Sequence, residues 1–266
     1  MIDRFRLPLT VNTAALRDDL IALSAEGWVP HFNGGFHDGD WTGLVLRGPM
    51  GATDSLVSTG ETFADTPLMA LCGGVRTLLA GLDCPLRAVR LLRLAPGASI
   101  HEHRDYDLGY EQGEARLHVP VLTNTGVEFH LRNRRVEMAP GEVWYLDLGQ
   151  PHRVFNGGPT DRVHLVIDVG VNDWLRTLIP FEAADPFRPP EPVVDAETAA
   201  ANLDRFRALV AAEPHLHAAL RETTDRDLFV EETIRLGLER ALPFTAAVVR
   251  DVMADERRRW NEQWMR

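Results

Sequence analysis

The chain has 266 residues, of which 45% are hydrophobic and 25% charged, a composition typical of one large globular domain or of a main domain with a small appendage. Its net charge of −11 disfavours nucleic acid as a partner, because the phosphate backbone is also negative. We find neither an apolar run of about 18 residues, which a membrane span needs, nor the apolar segment of a secretory signal. With only two cysteines, Cys72 and Cys84, we expect a reduced, cytoplasmic chain.

All 28 basic residues are arginine, and none is lysine. Chemistry that needs a lysine is therefore excluded, including Schiff-base catalysis and the phosphate-binding P-loop. Arginine instead favours planar, two-pronged contacts with carboxylates.

Two amphipathic helices are predicted in the first part of the chain. Thr13–Ala25 carries apolar residues at helical spacing and is followed by Gly27, a helix stop signal. Thr66–Leu82 shows the same spacing. Between them, Trp28–Trp41 is rich in glycine, histidine and aromatic residues and is predicted to form loops.

A change of pattern marks residues 86–171, where short apolar runs and period-2 alternation predict strands. Seven strand candidates are separated by proline, glycine and asparagine. They are AVRLLRLAPG, ARLHVPVLTN, VEFHLRN, RRVEMAPG, EVWYLDLG, HRVFNGG and RVHLVIDV. Regular short strands of this kind are typical of a β-sandwich or a jelly roll.

Five prolines between positions 180 and 194 predict a linker over residues 181–194. Beyond it the strand pattern stops, and helix-capping residues precede amphipathic segments. The expected organisation is a mainly β domain over residues 1–180 and an all-α helical domain over residues 195–266.

A metal site is predicted from three residues near the ends of strand candidates. His103 and Asp105 are two residues apart, so on extended chain their side chains lie on the same side and can share one ion. His152 follows the candidate strand EVWYLDLG and its turn. Two histidines and one carboxylate form the facial triad of non-haem Fe(II) oxygenases, which leaves positions open for a co-substrate and O₂.

Two other strand candidates place an arginine and a histidine on one face. Period 2 puts Arg162 with His164, and Arg116 with His118, opposite their apolar neighbours. A guanidinium turned into a barrel is costly without an anion, and a dicarboxylate ligand would supply one. The alternative for Arg162 is an ion pair with Asp161 or Asp168, and for Arg116 a structural salt bridge.

The sequence around these residues resembles the aspartyl/asparaginyl β-hydroxylase family of Fe(II)/2-oxoglutarate oxygenases. The similarity is strong from Leu91 to Asp173 and rests on LAPGASIHEHRDYDLG, ARLHVPVLTN, MAPGEVWYLDLGQPHRVFN and DRVHLVID. It implies a double-stranded β-helix (jelly roll) core over about residues 86–171. It also implies His103, Asp105 and His152 as iron ligands and catalytic residues, Arg162 and His118 as 2-oxoglutarate-binding residues, and Arg116 as a substrate contact.

Two positions differ from the animal members of that family. Asp105 supplies a carboxylate ligand that those enzymes lack, and Leu92 stands where they carry a serine that contacts 2-oxoglutarate. Bacterial free-proline hydroxylases share the same core and add a C-terminal helical unit. Residues 206–255 of this chain are also similar to the small Nif11-type domain of peptide leader segments, which suggests peptide chemistry or docking.

The resemblance implies Fe(II)- and 2-oxoglutarate-dependent hydroxylation, with O₂, of aspartate or asparagine, free or in a peptide. Free L-proline is the next candidate. Because His101-x-His103 also resembles a cupin metal motif, a cupin-type dioxygenase or isomerase that does not use 2-oxoglutarate stays open, as does a non-catalytic peptide-binding protein. The partner is a small molecule or peptide, with no nucleic acid or membrane, and the oligomeric state is left open.

Overall fold

The computed structural model describes residues 1–32, 34–54, 56–106, 108–183, 185–186, 188–189, 191–221 and 223–264, with the backbone alone over 259–264. The chain divides into two compact units, residues 1–184 and 185–266, each with its own apolar core. The predicted linker 181–194 includes positions 184, 187 and 190, which lie outside the described residues.

The first unit is mainly β with helices, as predicted. Its strands are β1 (Arg4–Arg6), β2 (Val29–Pro30), β3 (His37–Asp38), β4 (Trp41–Pro49), β5 (Phe63–Asp65), β6 (Leu86–Leu94), β7 (Ser99–His103), β8 (Glu114–Leu122), β9 (Val127–Leu131), β10 (Arg134–Arg135), β11 (Trp144–Leu146), β12 (His152–Asn156) and β13 (Arg162–Gly170). Its α-helices are α1 (Thr13–Ala22), α2 (Gly73–Ala80) and α3 (Asp173–Leu178).

The strands form two antiparallel sheets. The larger sheet has the order β1-β11-β8-β13-β6-β4-β2, with β5 beside β4, and the smaller has the order β10-β9-β12-β7-β3. One apolar cluster contains residues of both sheets. In this cluster, Leu94 and Leu146 of the larger sheet pack with Ile100, Leu131 and Val154 of the smaller sheet. The two sheets therefore face each other across a shared interior.

Alternation along the strands of the larger sheet separates an apolar face from a polar one, as the period-2 pattern predicted. On β13, Val163, Leu165 and Ile167 pack into the main core together with residues of α1 and α2. Arg162 and Val166, at the alternate positions, line a cavity instead. The larger sheet thus directs its polar side chains away from the helices and toward the cavity.

The sheets extend beyond the predicted core of residues 86–171. β4 pairs with β6 in the larger sheet, and its apolar run Leu44-Val45-Leu46 is buried on both faces, so it shows no alternation to signal a strand. The single helix predicted over Thr66–Leu82 is wrong. A 3₁₀ helix over Pro67–Leu71 is followed by α2, and the Gly73-Gly74 pair, with its low helix propensity, lies at the break.

In its described part, the second unit contains four helices, α4 (Ala196–Ala212), α5 (Pro214–Arg221), α6 (Arg226–Glu239) and α7 (Ala246–Trp264). The side chain of Asp195 accepts a hydrogen bond from the backbone of Thr198 and so caps α4. The apolar faces of the helices pack around Phe206 and Phe244. Over the part of the chain described, no helix combines the length and apolarity needed to cross a bilayer.

Helices α1 and α2 meet where there is no room for a side chain. The Asp19 carboxylate of α1 accepts hydrogen bonds from the backbone nitrogens of Gly74 (3.1 Å) and Val75 (2.7 Å) at the start of α2, where free N–H groups favour an anion. A Cβ atom on Gly74 would lie 2.7 Å from the carbonyl carbon of Ala15, whereas one on Gly73 would meet nothing within 4 Å.

We therefore expect Gly74→Ala to lower the free energy of unfolding by about 1–3 kcal/mol, because the added methyl group forces α1 and α2 apart. Gly73→Ala is the matched control and should leave stability unchanged or raise it by up to about 1 kcal/mol. Urea denaturation followed by circular dichroism measures both. Equal stability of the two variants would contradict the close approach of the helices.

Candidate metal centre

Two of the three predicted metal ligands are direct neighbours across a pair of strands. His103 ends β7 and His152 begins β12, and the two residues lie opposite each other in the antiparallel register. Their ring centroids are 4.2 Å apart. Because opposite side chains share one face of a sheet, this register brings two imidazoles to one point.

Backbone carbonyls orient both imidazoles in the same way. The Nδ1 atom of His103 lies 2.8 Å from the carbonyl oxygen of His101, and that of His152 lies 3.0 Å from the carbonyl oxygen of Gln150. A carbonyl only accepts, so each Nδ1 carries a proton, and a neutral ring in this tautomer offers the lone pair of Nε2 to a metal.

Asp105 completes the cluster. Its backbone nitrogen donates to the carbonyl of Leu148 at 2.8 Å, and its Oδ1 lies 3.5 Å from Nε2 of His103. One ligand atom from each of His103, Asp105 and His152 lies within 4.8 Å of the others. Two imidazole nitrogens and one carboxylate oxygen at this spacing fit a single Fe(II) ion, with open positions remaining.

Charge and burial favour the protonation states that bind a metal. Burial lowers the pKa of His152 to about 4, so its ring is neutral at pH 7. Burial alone would raise the pKa of Asp105, but nearby positive charge, chiefly that of the Arg116 guanidinium with a smaller contribution from Arg90, outweighs it and holds the pKa below its usual value. Asp105 is therefore a carboxylate.

A buried ionic network fixes the second oxygen of Asp105. Its Oδ2 accepts a hydrogen bond of 2.5 Å from Nη1 of Arg116. The remaining nitrogens of Arg116 bind Asp168, with Nε 2.6 Å from Oδ1 and Nη2 3.1 Å from Oδ2. Asp168, which is fully buried, also receives Nη2 of Arg90 at 2.6 Å. The carboxylate is thus held with one oxygen toward the imidazoles and one toward Arg116.

Arg162 differs from these two arginines because no described carboxylate pairs with it. Its side chain is 2% exposed, and burial alone lowers its pKa to about 9. Nη2 donates to Nδ1 of His164 at 2.9 Å, while Nε is buried without a partner in the described part of the chain. The Nε2 atom of His118 is likewise buried without a partner there. Both orphaned groups are suited to a polar ligand.

All six predicted site residues line one cavity of about 310 Å³. Its outer wall is aromatic. His31 stacks on Trp41 with ring centroids 3.4 Å apart and also stacks on Phe32. Phe36 lies against His103 at 5.6 Å between centroids. The cavity therefore combines a metal-binding cluster and cationic groups with an apolar wall.

Two alternatives raised by the sequence do not hold in the structure, and one arginine of the cavity was not predicted. His101 lies outside the cluster, since its exposed ring pairs with Asp38 at 2.7 Å. Asp168 pairs with Arg90 and Arg116 rather than with Arg162. Arg90 was not predicted, because the arginines of β6 recur at every third residue and show no period-2 alternation. The individual roles of the six residues stay predictions.

Comparison with known proteins identifies the same family that the sequence motifs resemble. The model of a family described as Aspartyl/Asparaginyl beta-hydroxylase matches residues 10–171. An L-proline cis-4-hydroxylase of Rhizobium meliloti (strain 1021) is 32% identical over 164 residues, which are 59% of this chain. The chain spans 57% of that relative's length.

Two solved structures resemble the chain at low similarity. One is an oxidoreductase of the 2OG-Fe(II) oxygenase family from Burkholderia pseudomallei, with 17% identity, a TM-score of 0.43 and coverage of 63% of this chain and 85% of that one. The other is a Pseudomonas putida prolyl-4-hydroxylase, with 13% identity, a TM-score of 0.40 and coverage of 65% and 94%. Likeness at this level bears on neither substrate nor mechanism.

We expect Asp105→Ala to weaken binding of Mn(II), used as an oxygen-stable substitute for Fe(II), at least tenfold, or about 1.4 kcal/mol. The substitution removes one of three ligands and leaves the buried charge of Arg116 without this partner. His101→Ala is the control, because His101 orients His103 through its backbone carbonyl alone. Isothermal titration of the metal-free proteins measures both. Wild-type affinity in Asp105→Ala would contradict the three-residue site.

Proposed function

The chain belongs to the aspartyl/asparaginyl β-hydroxylase family, and from that premise we propose that it is an Fe(II)- and 2-oxoglutarate-dependent hydroxylase of an amino acid, built on a double-stranded β-helix. One observation carries the proposal. A His-Asp-His cluster shares a cavity with a buried arginine that no described carboxylate neutralises. The overall reaction converts 2-oxoglutarate, O₂ and a C–H bond into succinate, CO₂ and an alcohol.

His103, Asp105 and His152 are the proposed iron ligands. Ferrous iron supplies the activation of O₂ when it is bound, and the protein supplies its position and shielding. The backbone carbonyls of His101 and Gln150 fix both imidazoles. Arg116 occupies the second oxygen of Asp105, which favours a single bond from that carboxylate to the ion and keeps other positions open.

Arg162 is the proposed partner of the distal carboxylate of 2-oxoglutarate. A guanidinium binds a carboxylate through two parallel hydrogen bonds, and a buried guanidinium gains most from such a partner because its own desolvation is costly. His118 is proposed to assist, because its Nε2 is buried beside this site without a partner in the described part of the chain. Burial and the charge of Arg162 hold the pKa of His118 well below its usual value, so its ring is neutral.

The cavity favours a small substrate group. Its volume of about 310 Å³ lies at the lower end of the range for ligand pockets, about 300–1,000 Å³. Arg116 is the proposed substrate contact because it lines the cavity, where its guanidinium is paired with Asp105 and Asp168. The aromatic wall of His31 and Trp41 provides an apolar face for the carbon skeleton. Aspartate or asparagine, free or in a peptide, is the proposed substrate.

Free L-proline is a second candidate, favoured by the 32% identity to an L-proline cis-4-hydroxylase. It requires the same iron and 2-oxoglutarate sites and differs only in what the aromatic wall and Arg116 hold. A cupin-type enzyme without 2-oxoglutarate is disfavoured, because it would leave the buried charge of Arg162 without a counterion.

The test incubates Fe(II)-loaded protein with 2-oxoglutarate, ascorbate and one member of a panel. The panel contains free aspartate, asparagine and proline and the same three residues in blocked peptides. Mass spectrometry should detect the gain of one oxygen atom in one substrate, with succinate formed in equal amount. Oxygenation that proceeds without 2-oxoglutarate would contradict the proposal.

Arg162→Lys should not preserve function, because an ammonium group is a point donor and cannot form the two-pronged contact. We expect the affinity for 2-oxoglutarate to fall 10- to 100-fold, about 1.5–3 kcal/mol, with the Mn(II) affinity unchanged. Arg93→Lys is the matched control, since Arg93 is the half-buried arginine of β6 that packs on Trp28 outside the cavity. A wild-type Michaelis constant for 2-oxoglutarate in Arg162→Lys would contradict the assignment.

We also propose that the chemistry resides in residues 1–184, because every proposed site residue lies there. A chain ending at residue 184 should still bind Mn(II) and 2-oxoglutarate with affinities close to those of the full chain. Isothermal titration of both proteins measures this. A truncated chain that is soluble and folded but binds no 2-oxoglutarate would contradict the division.

A further inference from the structure

Three buried arginines of the larger sheet face the cavity, and their partners differ. Arg90 and Arg116 both bind Asp168, so a carboxylate of the chain offsets their charge. Arg162 has a neutral partner instead, the imidazole of His164, two residues farther along β13 and on the same face. The ring of Phe129 is also close, with its centroid 6.0 Å from the guanidinium carbon of Arg162.

The contact between Arg162 and His164 fixes which group donates. A guanidinium only donates hydrogen bonds, so Nδ1 of His164, 2.9 Å from Nη2 of Arg162, must be an unprotonated acceptor. Nδ1 of His118 lies 3.4 Å from Nδ1 of His164, at the long limit of a hydrogen bond. Burial and the nearby charge of Arg162 hold the pKa of His164 well below its usual value, which agrees with a neutral ring.

A neutral acceptor has a different effect on Arg162 from that of a carboxylate. It uses one N–H group and restricts the side chain, yet it leaves the positive charge in place. A carboxylate at the same position would pair with the guanidinium and compete with an incoming anion, as Asp168 pairs with Arg90 and Arg116.

We propose that His164 is a positioning residue that orients the Arg162 guanidinium toward the distal carboxylate of a dicarboxylate co-substrate while leaving its charge unneutralised. The inference rests on the proposed use of 2-oxoglutarate. On this inference, the Arg-x-His pattern of β13 selects a 2-oxo acid with two carboxylates over a 2-oxo acid with one carboxylate.

The experiment compares His164→Asp with His164→Asn on Mn(II)-loaded, full-length protein under anaerobic conditions. Isothermal titration measures the dissociation constants of 2-oxoglutarate and of 2-oxopentanoate, in which a methyl group replaces the distal carboxylate. His164→Asp should bind 2-oxoglutarate 10- to 100-fold more weakly, because the new carboxylate forms an ion pair with Arg162. Its affinity for 2-oxopentanoate should be unchanged. His164→Asn keeps a neutral acceptor and should stay within about threefold of wild type for both ligands.

The outcomes separate this inference from the proposed function. A wild-type protein that does not prefer 2-oxoglutarate to 2-oxopentanoate overturns the proposed function itself. A wild-type protein with that preference, together with a His164→Asp variant that keeps it, overturns the role of His164. Equal loss of both ligands in His164→Asp also overturns it, since that indicates general damage to the cavity.

A second comparison applies where His164→Asp does not fold. His164→Leu removes the acceptor and frees the guanidinium to turn away. It should weaken the binding of 2-oxoglutarate about tenfold relative to His164→Asn, with the affinity for 2-oxopentanoate again unchanged. Equal 2-oxoglutarate affinities in the Leu and Asn variants overturn the inference.

Discussion

The site depends on positive charge that is buried between two sheets and is only partly neutralised by the protein. Arg90 and Arg116 share the buried carboxylate of Asp168, and Arg116 also holds Asp105. Removing a guanidinium from water is costly, so each buried arginine needs a partner. Within the described residues, Arg162 alone of these three lacks a carboxylate partner, and this imbalance is the basis for the anionic ligand proposed at Arg162.

Sheet geometry is what allows so many polar groups to converge without disrupting the core. On β8 and β13 one face carries the charged and imidazole side chains, and the opposite face supplies valine, leucine and isoleucine to the core against α1 and α2. On the smaller sheet, the opposed positions of His103 and His152 bring two proposed metal ligands together through backbone pairing. The metal-binding geometry therefore rests on rigid strands, and Asp105 is placed by a backbone hydrogen bond to Leu148.

Much of this could be predicted from the sequence because the signals are local. The i, i+2 spacing of His103 and Asp105 and the alternation along β13 are properties of extended chain. The partner of Arg162 could not be predicted, because Asp168 shares its face and its strand, and only the cross-strand register shows that Asp168 lies opposite Arg116. β4 was missed since a strand buried on both faces has no alternating pattern. The aromatic wall was not predicted, because His31 stacks on Trp41 through the pairing of the short strand β2 with β4, in a segment that the sequence predicted to form loops.

The central claim is that the His-Asp-His cluster and Arg162 bind opposite ends of one co-substrate. A crystal structure of the protein with Mn(II) and 2-oxoglutarate, grown without oxygen, tests it most directly. The account predicts the metal on Nε2 of His103, a carboxylate oxygen of Asp105 and Nε2 of His152, with the distal carboxylate of 2-oxoglutarate on the Arg162 guanidinium. A metal bound elsewhere, or a 2-oxoglutarate whose distal carboxylate lies on Arg90 or Arg116 while Arg162 stays uncontacted, would contradict it.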